Sequence, residues 1–234
     1  MELACELLYQ RTMRPWRIQQ DEHPYHITTR TNGRKFRLNP ATYHIFIEVL
    51  REAVRRFAVH IHHCKLMDNH YHLIMQTTKE NLSIAMQYIN FQLALRINQL
   101  QNTSGHLWGQ RFHATIIDSD AYQHMCVPYI YQNGVRAGLC KRASDDPRFS
   151  TFHFYANGTL IPFEVVADDF YLSLGDTPAA RQKEFVRIVN GRLPQEQQRN
   201  IQRGLRSTFF GSREFIQRMQ QRYASHLHPH RRTN

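Results

Sequence analysis

Long apolar runs are missing from this 234-residue chain. No stretch approaches the ~20 residues that span a bilayer, and residues 1–16 lack a signal-peptide layout. The expectation is a soluble, cytoplasmic protein with no membrane partner. Cysteine is scarce: Cys5, Cys64, Cys126 and Cys140 form no CxxC pair, which excludes a dense disulfide framework and favours reduced thiols. Acidic residues are also few, 19 Asp+Glu against 30 Lys+Arg. The resulting net charge of +11 and pI near 9.8 suit a polyanionic partner such as nucleic acid, plain solubility being the alternative. Internal repeats and low-complexity blocks are absent.

What is present reads as one large domain and a small one. Residues 1–22 form a polar N-terminal extension. Tyr25 to Arg30 is a short strand ended by the turn signal Thr31-Asn32-Gly33-Arg34. Asn39-Pro40 opens a helix whose apolar stripe is Tyr43, Phe46, Ile47, Leu50, Val54 and Phe57. Val59–Leu66 and His70–Thr77 are β-rich runs joined by Met67-Asp68-Asn69, a hairpin. A second helix, about Asn81 to Leu100, carries the stripe Leu82, Met86, Ile89, Leu93, Ile97 and Leu100. Phe112–Asp118 is a fourth strand, and Ser119 or Asp120 caps a third helix reaching Asn133.

This order predicts an α+β fold, the ferredoxin-like or RRM-like split βαββαβ arrangement. Its antiparallel sheet has two helices on one face and the other face free for a site. The domain is expected over residues 23–158. A basic helical C-terminal region is expected over 159–225, with helices opened by Thr177-Pro178, after Pro194 and at Ser212, and a disordered tail over 226–234. Residues 160–234 hold 12 Lys+Arg and 7 Asp+Glu, so both parts are basic.

His70 and His72 flank one residue on a strand, so both imidazoles project to one face and can converge on a cation. His60-Ile61-His62 offers the same spacing, and with 15 histidines a bare HxH is more often coincidence. Tyr129 and Asn133 lie four apart on one helical face. A cation held by His70, His72 and the Asn133 amide oxygen would polarise a phosphodiester for in-line attack by Tyr129. From periodicity alone Tyr129 is a core aromatic. Tyr131 and Tyr122 compete for the role, Tyr131 pointing away from Tyr129 and Tyr122 lying two turns back on its face. Pro128 is expected to kink this helix.

Three separated motifs carry a resemblance: Asp68-Asn69-His70-Tyr71-His72-Leu73-Ile74-Met75, Gly105-His106-Leu107-Trp108-Gly109-Gln110-Arg111-Phe112, and Tyr129-Ile130-Tyr131-Gln132-Asn133-Gly134-Val135-Arg136-Ala137-Gly138. Together, over about residues 24–155, they resemble the REP-associated tyrosine transposases, bacterial single-tyrosine HUH enzymes. The resemblance implies that His70 and His72 are the HUH pair, that Asn133 completes the metal site and that Tyr129 is the nucleophile. It also implies cleavage and rejoining of single-stranded DNA at hairpin-forming palindromic repeats, with Mg2+ or Mn2+ and a 5′-phosphotyrosine intermediate. The chain departs from most relatives at Gly134 and Asp68, where they carry proline, and at Pro128, where they do not.

For DNA contacts the candidates are Arg30, Arg34, Lys35, Arg111 and Arg136 on phosphates and Trp108 as a stacking surface, against the plainer readings of solvated arginines and a core tryptophan. Two alternatives stay open: a catalytically silent repeat-DNA-binding regulator, and a rolling-circle-type nicking enzyme. The assembly is expected to be a monomer or homodimer, with the active site built in one chain or shared.

Overall fold

The computed structural model describes residues 17–118 and 123–227. Along the chain come β1 (Tyr25–Arg30), α1 (Tyr43–Phe57), β2 (Val59–Met67), β3 (His70–Thr77), α2 (Leu82–Leu100) and β4 (His113–Ile117). These strands lie in the order β2-β3-β1-β4, all antiparallel, which is the split βαββαβ sheet expected from the sequence. The register Arg30↔His70 and Thr28↔His72 fixes which residues share a face.

On one face Tyr25, Ile27, Tyr71, Leu73 and Met75 are buried against α1 and α2. Each such side chain removed from water contributes about 1.5–3 kcal/mol. The α2 stripe is buried as expected except Leu100, which is 49% exposed. The buried α1 residues are Ile45, Phe46, Val49, Leu50 and Ala53, so the stripe is rotated from the expected one. Tyr43, Ile47, Val54 and Phe57 flank it, half-buried. The helix starts after a 3-10 turn at Pro40–Thr42, where the Thr42 hydroxyl accepts from Asn39 N at 3.1 Å.

The second face is covered by the helices α3 (Gln123–Tyr131), α4 (Asn133–Arg136), α5 (Phe152–Asn157), α6 (Asp169–Leu172), α7 (Pro178–Asn190) and α8 (Gln195–Gly204). Thr177 caps α7, accepting from Ala180 N at 3.2 Å, as its Thr-Pro pair predicts. A strand that the sequence pattern does not announce, β5 (Phe209–Phe210), then pairs parallel to β4. It leads through Gly211 and the Ser212 cap into α9 (Arg213–Arg222) and α10 (Ala224–Leu227). Asp118 Oδ2 accepts from both Ser212 N and Oγ, and a Cβ on Gly211 would meet Asp118 and Phe215 at 2.6 and 2.4 Å. The C-terminal segment is thus joined to the sheet edge. The expected tail begins within α10; its remaining residues, 228–234, lie outside the described residues, as do residues 1–16, the caps Ser119 and Asp120, and Tyr122. No helix among the described residues is long and apolar enough to cross a membrane.

Candidate active site on the histidine face

The alternation that buries Ile27 and Leu73 sends His26, Thr28 and Arg30 of β1, His70 and His72 of β3, and His113 and Thr115 of β4 to the opposite face. The His70 and His72 rings lie edge to face, centroids 5.0 Å apart. The Asn69 amide donates through Nδ2 to Arg34 O at 3.1 Å, which turns Oδ1 toward His70 Nδ1 at 2.7 Å. His70 therefore donates from Nδ1 and keeps the lone pair on Nε2. His72 Nδ1 lies 2.8 Å from His26 Nε2, and its own Nε2 is buried with no hydrogen-bond partner among the described residues. Such an orphaned nitrogen costs about 1–3 kcal/mol unless a further group meets it.

Burial, reinforced by Arg30 and Arg136, pushes the His70 pKa down to about 4. Burial and the neighbouring His70, His26 and arginines hold His72 well below its ordinary value. Both rings are neutral at pH 7, the form that ligates a divalent metal. Two imidazole nitrogens fit such an ion, with water and phosphate oxygens completing its shell. No cluster of three or more His, Cys, Asp or Glu placed for a metal exists among the described residues, and the third ligand that the resemblance implies is of another kind. Asn133 is such a group. Its Nδ2 donates to Ile130 O at 2.9 Å, leaving the amide oxygen as the free end.

The segment carrying Tyr129 is held residue by residue. Helix α3 passes through Pro128, with Gln132 N bonding Pro128 O at 2.9 Å, and stops at Tyr131; Asn133 starts a new helix instead of ending the old one. Tyr131 is buried, its hydroxyl 2.9 Å from His63 Nδ1 and 2.8 Å from Thr151 Oγ1, and burial raises its pKa well above the phenol range. It points away from Tyr129 and is unfit as a nucleophile. His63 in turn donates through Nε2 to Asp168 Oδ2 at 2.9 Å, and Asp168 caps α6. Gln132 Nε2 donates to Val189 O and Gly191 O at 2.7 and 2.6 Å. A Cβ on Gly134 would lie 2.0 Å from Asp146 Oδ2.

That last contact accounts for two departures together. Asp146 pairs with buried Lys65 at 2.9 Å and with Arg148 at 2.7 Å, and Arg148 also grips Asp68 through two nitrogens. Asp68 and Gly134 are both fitted to this one ion cluster.

Arg136 lies flat on the Tyr129 ring, 3.7 Å from its centroid, and donates to Tyr129 O at 2.6 Å. Arg136, expected on a phosphate, thus has one guanidinium nitrogen engaged on Tyr129. Because Arg136 and Arg30 act electrostatically on both imidazoles and on Tyr129, these five residues share one neighbourhood. Beside it runs a groove of about 590 Å³ lined by Thr28, Arg30, Arg34, Gln110, Arg111 and Arg206 and by no carboxylate. Burial and the nearby Arg34 and Arg206 lower the Arg30 pKa. Lys35 lies outside the groove lining. Trp108 sits on the helix-packed face, edge-on to Tyr71 with its Nε1 donating to Asn90 O at 2.8 Å, which favours the core reading over stacking. The decoy His60 and His62 are separated by a β-bulge that breaks their alternation; His60 is exposed and His62 bonds Val166 O. Sequence reasoning missed His26 and Arg206. The alternation of polar residues in His26-Ile27-Thr28-Thr29-Arg30 was the one available sign of the first, and the basic C-terminal composition of the second.

Comparison with known proteins bears on the fold and the family. Residues 19–133 match the family model of IS200-like transposases. The structure of a REP-associated tyrosine transposase bound to a REP hairpin is similar, with 23% identity and a TM-score of 0.55 over 68% of this chain and 95% of that one. A candidate transposase from Deinococcus radiodurans R1 is 16% identical, with a TM-score of 0.37 over 51% of this chain and 94% of that one. No curated protein matches. Residues 19–133 thus carry the match to the IS200-like transposase family, and the fold is that of the REP-associated tyrosine transposase.

Proposed function

We propose that this chain cleaves and transfers single-stranded DNA at hairpin-forming repeats, using Tyr129 as nucleophile and His70, His72 and Asn133 to hold Mg2+ or Mn2+. The observation that carries the reading is the buried, partnerless Nε2 of His72 beside His70, on the face where Arg136 holds Tyr129. The hairpin bound by the similar transposase supports the substrate class.

In the proposed step the Tyr129 oxygen forms a bond to phosphorus as the bond from phosphorus to the 3′-oxygen breaks. The phenol proton passes to solvent, and the products are a 5′-phosphotyrosine and a strand ending in a free 3′-hydroxyl. Arg136 against the ring offsets negative charge developing on the phenol. A bound divalent ion would supply polarisation of the phosphoryl oxygen. Arg30, Arg34, Arg111 and Arg206 would lead the strand along the groove by phosphate contacts. Transfer is the reverse attack, in which a 3′-hydroxyl displaces the tyrosine.

Incubation with Mn2+ and end-labelled, hairpin-bearing single strands, read on a denaturing gel, tests the reading. The expected result is a covalent protein–DNA adduct lost in Tyr129→Phe. Adduct at the wild-type rate in that variant rejects the nucleophile. Hairpin retardation with no cleavage in either metal, across varied sequences, favours the silent DNA-binding alternative.

A further inference from the structure

Each imidazole of the pair needs its proton on Nδ1 if its Nε2 is to face a metal. For His70 this is settled by an acceptor that cannot be reversed: the Asn69 amide is oriented by Arg34 O, so its oxygen faces His70 Nδ1. For His72 the neighbour is another imidazole, His26, from the central strand forty-six residues earlier. The two rings stack at 5.1 Å, 25° apart, and share one N···N contact of 2.8 Å.

Two neutral imidazoles in such a contact hold one proton between them, in either sense. If His26 donates, His72 carries N–H on Nε2, aimed into a region where Arg30 and Arg136 already impose positive potential. If His72 donates, its Nε2 presents a lone pair to that potential, and the unpartnered N–H moves to His26 Nδ1, which is buried without a bond. The field of the arginines selects the second sense. His26 is itself 1% exposed, and its ring makes no other hydrogen bond among the described residues. An apolar side chain there would remove the orphaned His26 Nδ1 but leave His72 Nδ1 without a partner, so the histidine brings the fold no clear net gain. A buried histidine at such a position is therefore explained by what it does for its neighbour.

Resting on the proposed metal reading, we infer that His26 is a positioning residue: by accepting from His72 Nδ1 it fixes the tautomer and ring orientation that present His72 Nε2 to a divalent cation. It does for His72 what Asn69 does for His70.

The test uses the full-length protein freed of metal and titrated with MnCl2, bound ion being followed by electron paramagnetic resonance. His26→Leu is expected to weaken Mn2+ binding by about 10–100-fold, the usual cost of losing a residue that orients a ligand. His26→Gln, whose carboxamide oxygen can accept from Nδ1, recovers most of that loss. The melting temperature of metal-free His26→Leu is expected close to that of the wild type, one orphaned nitrogen being exchanged for another, whereas a merely structural role would lower it. Nitrogen-15 NMR of the metal-free wild type is expected to show His72 protonated on Nδ1, which decides the matter even where a variant fails to fold. Wild-type Mn2+ affinity in His26→Leu, with affinity lost in His72→Ala, overturns the positioning role and leaves the metal site standing. Affinity retained in His72→Ala as well rejects the metal site and the positioning role together.

Discussion

The two faces of one sheet are made by alternate residues of the same strands and obey opposite rules. Toward α1 and α2, Ile27, Leu73 and Met75 fill a dry core in which the polar groups are paired: Thr29, Tyr71 and Asn90 form a closed chain of hydrogen bonds. Toward α3, His26 and His72 are equally buried but keep orphaned nitrogens, and Arg30 and Arg136 add charge. The first face is arranged for stability. The second stores unmet hydrogen-bonding capacity, which is why the proposed chemistry is assigned to it and not to the larger cavity of about 720 Å³ beside Arg17 and Phe112.

Substitutions should separate the faces. The largest effect is expected from Tyr129→Phe, with adduct formation reduced on the order of 10³-fold or more at unchanged urea midpoint. On the other face Leu73→Ala should cost about 2–5 kcal/mol in a urea titration while the adduct rate per folded molecule stays at the wild-type level. A comparable loss of stability from Tyr129→Phe would break the contrast.

Acid sharpens it further. Burial pushes the His26 pKa down to about 3, so the unfolded chain binds a proton near pH 6.5 that the folded one refuses. Stability is full above pH 6.5 and falls as pH drops toward 3, by up to about 1.4 kcal/mol per pH unit for each fully buried neutral histidine. His72 adds to the slope in the same direction. Urea midpoints at pH 7, 5.5 and 4.5 should show a dependence that His26→Leu flattens and Leu73→Ala leaves unaltered. The smallest effect is expected from Arg206→Ala. Loss of one phosphate contact should reduce the salt slope of single-strand binding by about 1, measured by fluorescence anisotropy between 50 and 200 mM salt.

Much of this was legible in the chain. The hairpin bearing His70 and His72, the α2 stripe and the Thr-Pro start of α7 arise from local chemistry, and the structure has them where the sequence puts them. The rest depended on partners distant in sequence. His26 is one histidine among fifteen until the register brings it beside His72. Asn133 continues the helical pattern of Tyr129, but tertiary bonds to Gln132 and the crowding of Gly134 by Asp146 divide that helix in two. A two-residue strand such as β5 has too little pattern to be read. Trp108 within its glycine-flanked motif carries no mark of which face it will meet.

The division at Gln132 bears on how small an active piece of this chain can be. The IS200-like match ends at residue 133, yet the groups that steady the nucleophile's segment come later: Asp146 beside Gly134, Thr151 on the Tyr131 hydroxyl, Asp168 behind it through His63, and the carbonyls of Val189 and Gly191 on Gln132. A fragment cut at the family boundary would retain His70, His72, Tyr129 and Asn133 but lose Arg136 and the groups that hold the nucleophile's segment. The shortest competent fragment therefore extends at least to Gly191.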